Sequence, residues 1–148
     1  MKKVIIGIGN PLKRDDNIGN LIADKLKGIS GNDILLIRAE TNPENYIDKL
    51  RSFEPEIIYF IDAVEFDGKT GEVRVFDIED VLNQSLSTHG ISVRIFKDFF
   101  PNTKIKIIGI KVKGISYGEG LSEELKQKLG TITKKVEKII KNNLSDSK

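Results

Sequence analysis

A chain of 148 residues, 39% hydrophobic and 31% charged, has the size and balance of one soluble globular domain, 1–148, with no room for a second core. Lys and Arg number 24 against 22 Asp and Glu, and the resulting formal charge of +2 is too small an excess to point to nucleic acid or an anionic membrane. The absence of cysteine excludes disulfides, zinc–thiolate sites, iron–sulfur clusters and a cysteine nucleophile, and fits a reducing, cytoplasmic setting.

The N-terminal apolar run stops at Asn10, too short for a secretory signal, and no run approaches the ~20 residues needed to span a bilayer. Lys3 to Ile8, β-branched and bounded by glycines, reads as a first, buried strand. Ile18, Leu21, Ile22 and Leu26 follow at helical spacing, with Gly28 as a stop. Asp33 to Ile37 is a second strand. Asn42-Pro43-Glu44 then has the form of a helix start, with Asn42 as N-cap, ahead of a face of Tyr46, Ile47, Leu50 and Phe53 closed by Pro55.

Glu56 to Ile61 is a third strand whose end delivers Asp62. Gly68 and Gly71 bracket a turn into the alternating segment Glu72 to Phe76, expected as an antiparallel hairpin partner. A polar loop, Asn83 to His89, precedes a helix carrying Ile91, Ile95, Phe96 and Phe99, stopped by Pro101. Lys104 to Val112 is a further strand. Ser122 is placed to cap a last helix with Leu125, Leu129, Ile132, Val136 and Ile139 on one face, and Asn142 to Lys148 reads as a frayed tail.

Strands alternating with amphipathic helices predict an α/β fold, a mostly parallel sheet covered on both faces with one antiparallel strand. Ligands in such folds collect beyond the carboxyl ends of the strands. Three polar clusters fall there: Asn10 to Asn17, Asp62 to Glu65, and Ser87 to Gly90.

Gly7-Ile8-Gly9 after the first strand has part of a dinucleotide fingerprint, but the third glycine is absent and Asp15 and Asp16 follow where a phosphate would sit. One of those two aspartates can cap the next helix, which leaves the other free to face the strand ends. Asp62 is either a turn cap or a ligand at that edge. His89 is the single histidine of the chain, and a lone histidine is more often structural than functional. Taken together, two carboxylates and an imidazole from three separate loops suit a divalent metal such as nickel or zinc. Three protein ligands with open positions is the pattern of a metal that meets a substrate.

The ordered set of motifs resembles the hydrogenase maturation proteases. Gly7-Ile8-Gly9-Asn10-Pro11-Leu12 leading to Asp15-Asp16-Asn17-Ile18-Gly19 is similar to the family's opening motif, Ile61-Asp62-Ala63 to its third-strand motif, and Ser87-Thr88-His89-Gly90 to its Thr-His motif. Asn42-Pro43-Glu44-Asn45 is similar to the branch that processes hydrogenase-3-type subunits, and Gly120-Leu121-Ser122 to the start of the last helix. The resemblance covers nearly the whole chain. It implies a three-layer α/β/α sandwich with a five-stranded twisted sheet. It also implies an endopeptidase that removes the C-terminal extension of a nickel–iron hydrogenase large-subunit precursor after nickel insertion. In that reading Asp16, Asp62 and His89 engage nickel supplied by the precursor, Asp15 is a further candidate for activating water, and the enzyme works as a monomer. A resident zinc at the same ligands, or a nickel metallochaperone without catalysis, are the rival expectations. The chain departs from the family pattern at two places. Asn17 stands where glycine is common, and Arg38-Ala39-Glu40-Thr41 replaces an acidic, glycine-containing segment, with Glu40 as a possible substitute acid.

Overall fold

The structure is a computed structural model that describes residues 1–144. Five strands, β1 (Lys3–Ile8), β2 (Ile34–Glu40), β3 (Ile57–Ala63), β4 (Val73–Asp77) and β5 (Lys104–Ile110), form one sheet in the order β2-β1-β3-β5-β4. All pairings are parallel except β4 against β5, which is antiparallel as the hairpin-like spacing predicts. The helices are α1 (Ile18–Lys25), α2 (Ile47–Phe53), α3 (Ile78–Asn83), α4 (Gly90–Phe99) and α5 (Glu123–Asn142).

Every residue of β1 and of β3 is buried, because both strands are central and helices cover both faces. Side chains alternate between two apolar layers, as the two-residue period of a strand requires. Val4, Ile6, Ile58, Phe60 and Ile107 meet α2, α3 and α4 through Leu50, Val81, Val93 and Phe96. Ile5, Tyr59, Ile61, Ile108 and Ile110 meet α1 and α5 through Ile18, Ile22, Ile132, Val136 and Ile139.

Several boundaries differ from expectation, each for a physical reason. Pairing with β1 carries β2 on to Glu40, and pairing of Asp62 with Gly109 and Ala63 with Ile110 carries β3 past Ile61. α3 lies in a segment too short to show a helical period. Neither Asp15 nor Asp16 caps α1: Asn17 holds the N-cap position, and residues Arg14–Asn17 form a 3₁₀ turn. Asn42 and Ser122 hold N-cap positions without making the side-chain cap bond, since Asn42 bonds Glu44 and Ser122 bonds Asp15. Of the expected frayed tail, Asn142 ends α5 and Leu144 packs on the α1–α5 layer, whereas 145–148 lie outside the described residues.

Candidate functional site

The chain leaves β1, passes through α1 to β2 on one side, and returns to β3 on the other side of β1. The carboxyl ends of β1 and β3 therefore flank the point where strand order reverses, the usual ligand position of an open α/β sheet.

Glycine sets the approach of α1 to this edge. A Cβ at Gly9, where φ is +153°, would lie 2.0 Å from the Asp16 carbonyl oxygen, and one at Gly19 would lie 2.1 Å from that of Ile61. The Gly7-x-Gly9 spacing thus serves close packing of the turn and α1 on the strand ends. Asn17, by contrast, has φ −78° and makes no demand for glycine.

The turn aims two adjacent carboxylates at different partners. Asp15 is fully buried and accepts four hydrogen bonds: from Lys113 N–H (3.1 Å), Gly114 N–H (3.0 Å), Ser122 N–H (2.6 Å) and Ser122 Oγ (2.9 Å). It ties the β5–α5 loop to the β1–α1 turn. Asp16 accepts from Asn10 N–H (2.9 Å) and Thr88 Oγ1 (3.3 Å), and its Oδ2 lies 3.1 Å from His89 Nε2.

Asp62, 1% exposed within β3, accepts a hydrogen bond from Ser87 Oγ, and Ser87 Oγ in turn accepts from His89 N–H at 3.0 Å. The second oxygen, Asp62 Oδ1, is buried with no hydrogen-bond partner. Leaving such an atom unmet costs free energy on the order of 1–3 kcal/mol. The structure therefore brings together Asp16, Asp62 and His89, separated by up to 73 positions in sequence. Glu40, the suggested substitute acid, ends β2 with an exposed side chain.

Burial and charge set the protonation of this group. Burial pushes the Asp62 carboxyl up to about 7, against the lowering effects of the His89 charge and the Ser87 hydrogen bond. Burial alone would raise Asp16, but the hydrogen bonds from His89, Asn10 and Thr88 prevail and hold it below the usual carboxylate range. Burial pulls the His89 imidazolium down, yet its bond to Asp16 and the charge of Asp62 outweigh that and raise it.

Sequence reasoning passed over three residues that build the site. In the sequence Ser87 and Thr88 stand out only as part of a motif, yet their hydroxyls hold Asp62 and Asp16. Asn20, fully buried, donates to Gly9 O (2.9 Å) and Asn17 Oδ1 (2.8 Å) and accepts from Glu40 N–H (3.0 Å), joining the ends of β1 and β2 to the turn. A polar residue on the otherwise apolar side of α1 was the available signal.

Two carboxylates and one imidazole, with a carboxylate oxygen unmet, are donors of the kind that hold nickel or zinc. Among the described residues, however, no three His, Cys, Asp or Glu side chains already converge as a metal-binding group. The Asp16–His89 hydrogen bond would have to give way for both to meet one cation. No helix among the described residues is long and apolar enough to cross a membrane.

Comparison with known proteins agrees on one family. The family model HycI, described as hydrogenase maturation protease, matches residues 21–139. A putative hydrogenase maturation protease of Methanocaldococcus jannaschii is 35% identical over 136 aligned positions, covering 84% of this chain and 80% of that protein. The hydrogenase 3 maturation protease of Escherichia coli K12 is 23% identical over 140 positions, covering 93% of this chain and 90% of its own. The crystal structure of the NiFe hydrogenase maturation protease HycI from Thermococcus kodakarensis KOD1 superposes with a TM-score of 0.78 at 30% identity, over 95% of this chain and 92% of that one. The chain belongs to the hydrogenase maturation protease family, a family of peptidases.

Proposed function

We propose that this protein is an endopeptidase that removes the C-terminal extension of a nickel–iron hydrogenase large-subunit precursor after nickel insertion, and that Asp16, Asp62 and His89 recognise the precursor's nickel. The observation that carries the reading is the unmet, buried Asp62 Oδ1 beside a second carboxylate and the chain's single imidazole, in a chain of this family. An unloaded precursor would supply no cation for that oxygen and would bind poorly. In this reading the enzyme works in the cytoplasm, as a monomer that meets its client transiently.

The roles of the chain's own groups follow from their surroundings. Asp16, held ionised by Asn10 and Thr88, is the charged ligand. Asp62 and His89 must each shed a proton before they ligate. With Asp62 pushed up to about 7 and His89 also raised, engagement strengthens as pH climbs from about 6 to 8. The nickel brought by the precursor would polarise the scissile carbonyl or a water molecule. Asp15, saturated by four donors, is left a positioning part.

The test is to incubate the protein with nickel-loaded and metal-free precursor and weigh the products by mass spectrometry. A C-terminal peptide should be released from the loaded precursor alone. Asp16→Asn, Asp62→Asn and His89→Ala should each lower the cleavage rate at least ~100-fold while circular dichroism stays native. The wild-type rate should rise between pH 6 and 8. Nickel capture with an intact precursor would replace this reading with a metallochaperone. Stoichiometric zinc in protein purified without chelator would replace it with a resident-zinc hydrolase.

A further inference from the structure

Three consecutive side chains ahead of α4 each meet a carboxylate of the site. Ser87 Oγ donates to Asp62 Oδ2, Thr88 Oγ1 donates to Asp16 Oδ1 at 3.3 Å, and His89 Nε2 lies 3.1 Å from Asp16 Oδ2. Ser87 also reaches the third ligand candidate, because its Oγ accepts His89 N–H at 3.0 Å. A hydroxyl has a single hydrogen. With His89 N–H entering on a lone pair, that hydrogen goes to Asp62, and one oxygen atom joins Asp62 to the backbone of His89. The link is held from outside at both ends. Asp62 pairs with Gly109 inside the sheet, and Glu65 N–H donates to Leu86 O at 2.8 Å, which pins the segment carrying Ser87 beside the end of β3. The outcome is an asymmetric carboxylate: Asp62 Oδ2 is occupied, and Oδ1 is buried with no hydrogen-bond partner.

We infer that Ser87 is a positioning residue that makes Asp62 a one-oxygen ligand, and that this helps to set which cation the site accepts. The inference rests on the nickel-recognition reading above. A carboxylate with both oxygens free can clasp a cation in bidentate fashion, a mode that suits the large oxygen shell of Ca²⁺. With Oδ2 taken by Ser87, Asp62 presents Oδ1 alone. Asp16 has Oδ1 held by Thr88, so its Oδ2 is the oxygen that becomes available once His89 turns from it toward a cation. The donors are then one oxygen from each carboxylate and one imidazole nitrogen, a mixed set that fits nickel better than calcium. Three donors from this chain leave the remaining positions to the precursor that brings the metal. Alanine at position 87 frees Asp62 Oδ2 and breaks the link to His89. Threonine keeps the hydroxyl, and the open cleft of about 330 Å³ that Ser87 lines gives the added methyl room.

The experiment measures the binding of free Ni²⁺ and free Ca²⁺ to the wild-type protein, Ser87→Ala and Ser87→Thr by isothermal titration calorimetry, alongside cleavage of nickel-loaded precursor. The readout is the ratio of the two dissociation constants, because a loosened fold or altered proton competition at Asp62 acts on both cations together. Ser87→Ala should move the ratio toward Ca²⁺ by about 10-fold or more, the scale on which the hydrogen-bond partners of metal ligands act. It should lower kcat/KM for the loaded precursor by a similar factor. Ser87→Thr should keep both values near those of the wild type. A serine that only supports the fold would lose cleavage in step with melting temperature and leave the ratio where it was. An unmoved ratio in Ser87→Ala, a Ser87→Thr protein that behaves as Ser87→Ala, or no binding of either cation by any of the three proteins overturns the inference. In each of those cases cleavage of loaded precursor by the wild type keeps the protease reading standing. Absence of that cleavage removes the protease reading, whereas the ratio still judges Ser87.

Discussion

Asp62 sits inside β3 with one carboxylate oxygen taken by Ser87 and the other unmet, and burial holds its proton up to about pH 7. Because that value lies above the carboxylate's value in the unfolded chain, the fold binds the proton more tightly than the unfolded state does. Its contribution to stability is full below about pH 4 and is withdrawn as pH rises through about 7. His89, also raised, acts in the same direction, while Asp16, held low, contributes above the normal carboxylate range and is lost only in acid. The metal-free protein should therefore melt at a lower temperature at pH 8 than at pH 5.5. Asp62→Asn should flatten that dependence and raise the melting temperature at pH 8. Calorimetry across the range checks this, and an equal slope in the variant would contradict the assignment to Asp62.

The turn between β1 and α1 and the loop between β5 and α5 behave as one element because Asp15 joins them. Asp15→Asn replaces an acceptor of four hydrogen bonds by a group whose amide hydrogens face donors. A loss of roughly 2–3 kcal/mol is expected. Amide exchange should accelerate at Lys113, Gly114 and Ser122 before the sheet is affected. Uniform acceleration through β3 would show a global rather than a local role. Gly19→Ala tests the seating of α1: its methyl would meet the carbonyls of Ile61 and Ile8, and destabilisation of about 3 kcal/mol or more should follow in chemical denaturation. The elements themselves were largely legible, since β1, β3 and α5 carry their periods openly. Their ends were not. Asp62 looked like the residue after a strand because it is polar, yet pairing with Gly109 keeps it within β3. Ser122 looked like a cap, and its hydroxyl is drawn instead to a carboxylate 107 positions away.

At the scale of the whole molecule, the fold class, the antiparallel strand and the family were all readable from patterning and motif order. The strand order and the destination of Asp15 were not, because both depend on contacts between segments far apart in sequence. The two apolar layers, each built on alternate residues of the same strands, hold the sheet independently of the site. Chelator should accordingly leave the melting temperature within about 1 °C of its untreated value. A large fall would mean that a bound metal contributes to the folded state.

The adjacency of Asp15 and Asp16 also bears on how this chain can vary. One side chain points toward structure and its neighbour toward chemistry, so the count of residues from Gly9 to Asp15 works as a ratchet with a single permitted tooth. Inserting one residue there would put Asp15 in the place of Asp16 and Arg14 in the place of Asp15, and deleting one would put Asp16 in the place of Asp15 and Asn17 opposite His89, so either change leaves one of the two positions without its carboxylate. Length drift should therefore be tolerated in the exposed segment 67–69 between β3 and β4 and rejected in this turn. Single-residue insertions at the two places, compared for soluble yield and cleavage, would expose that asymmetry.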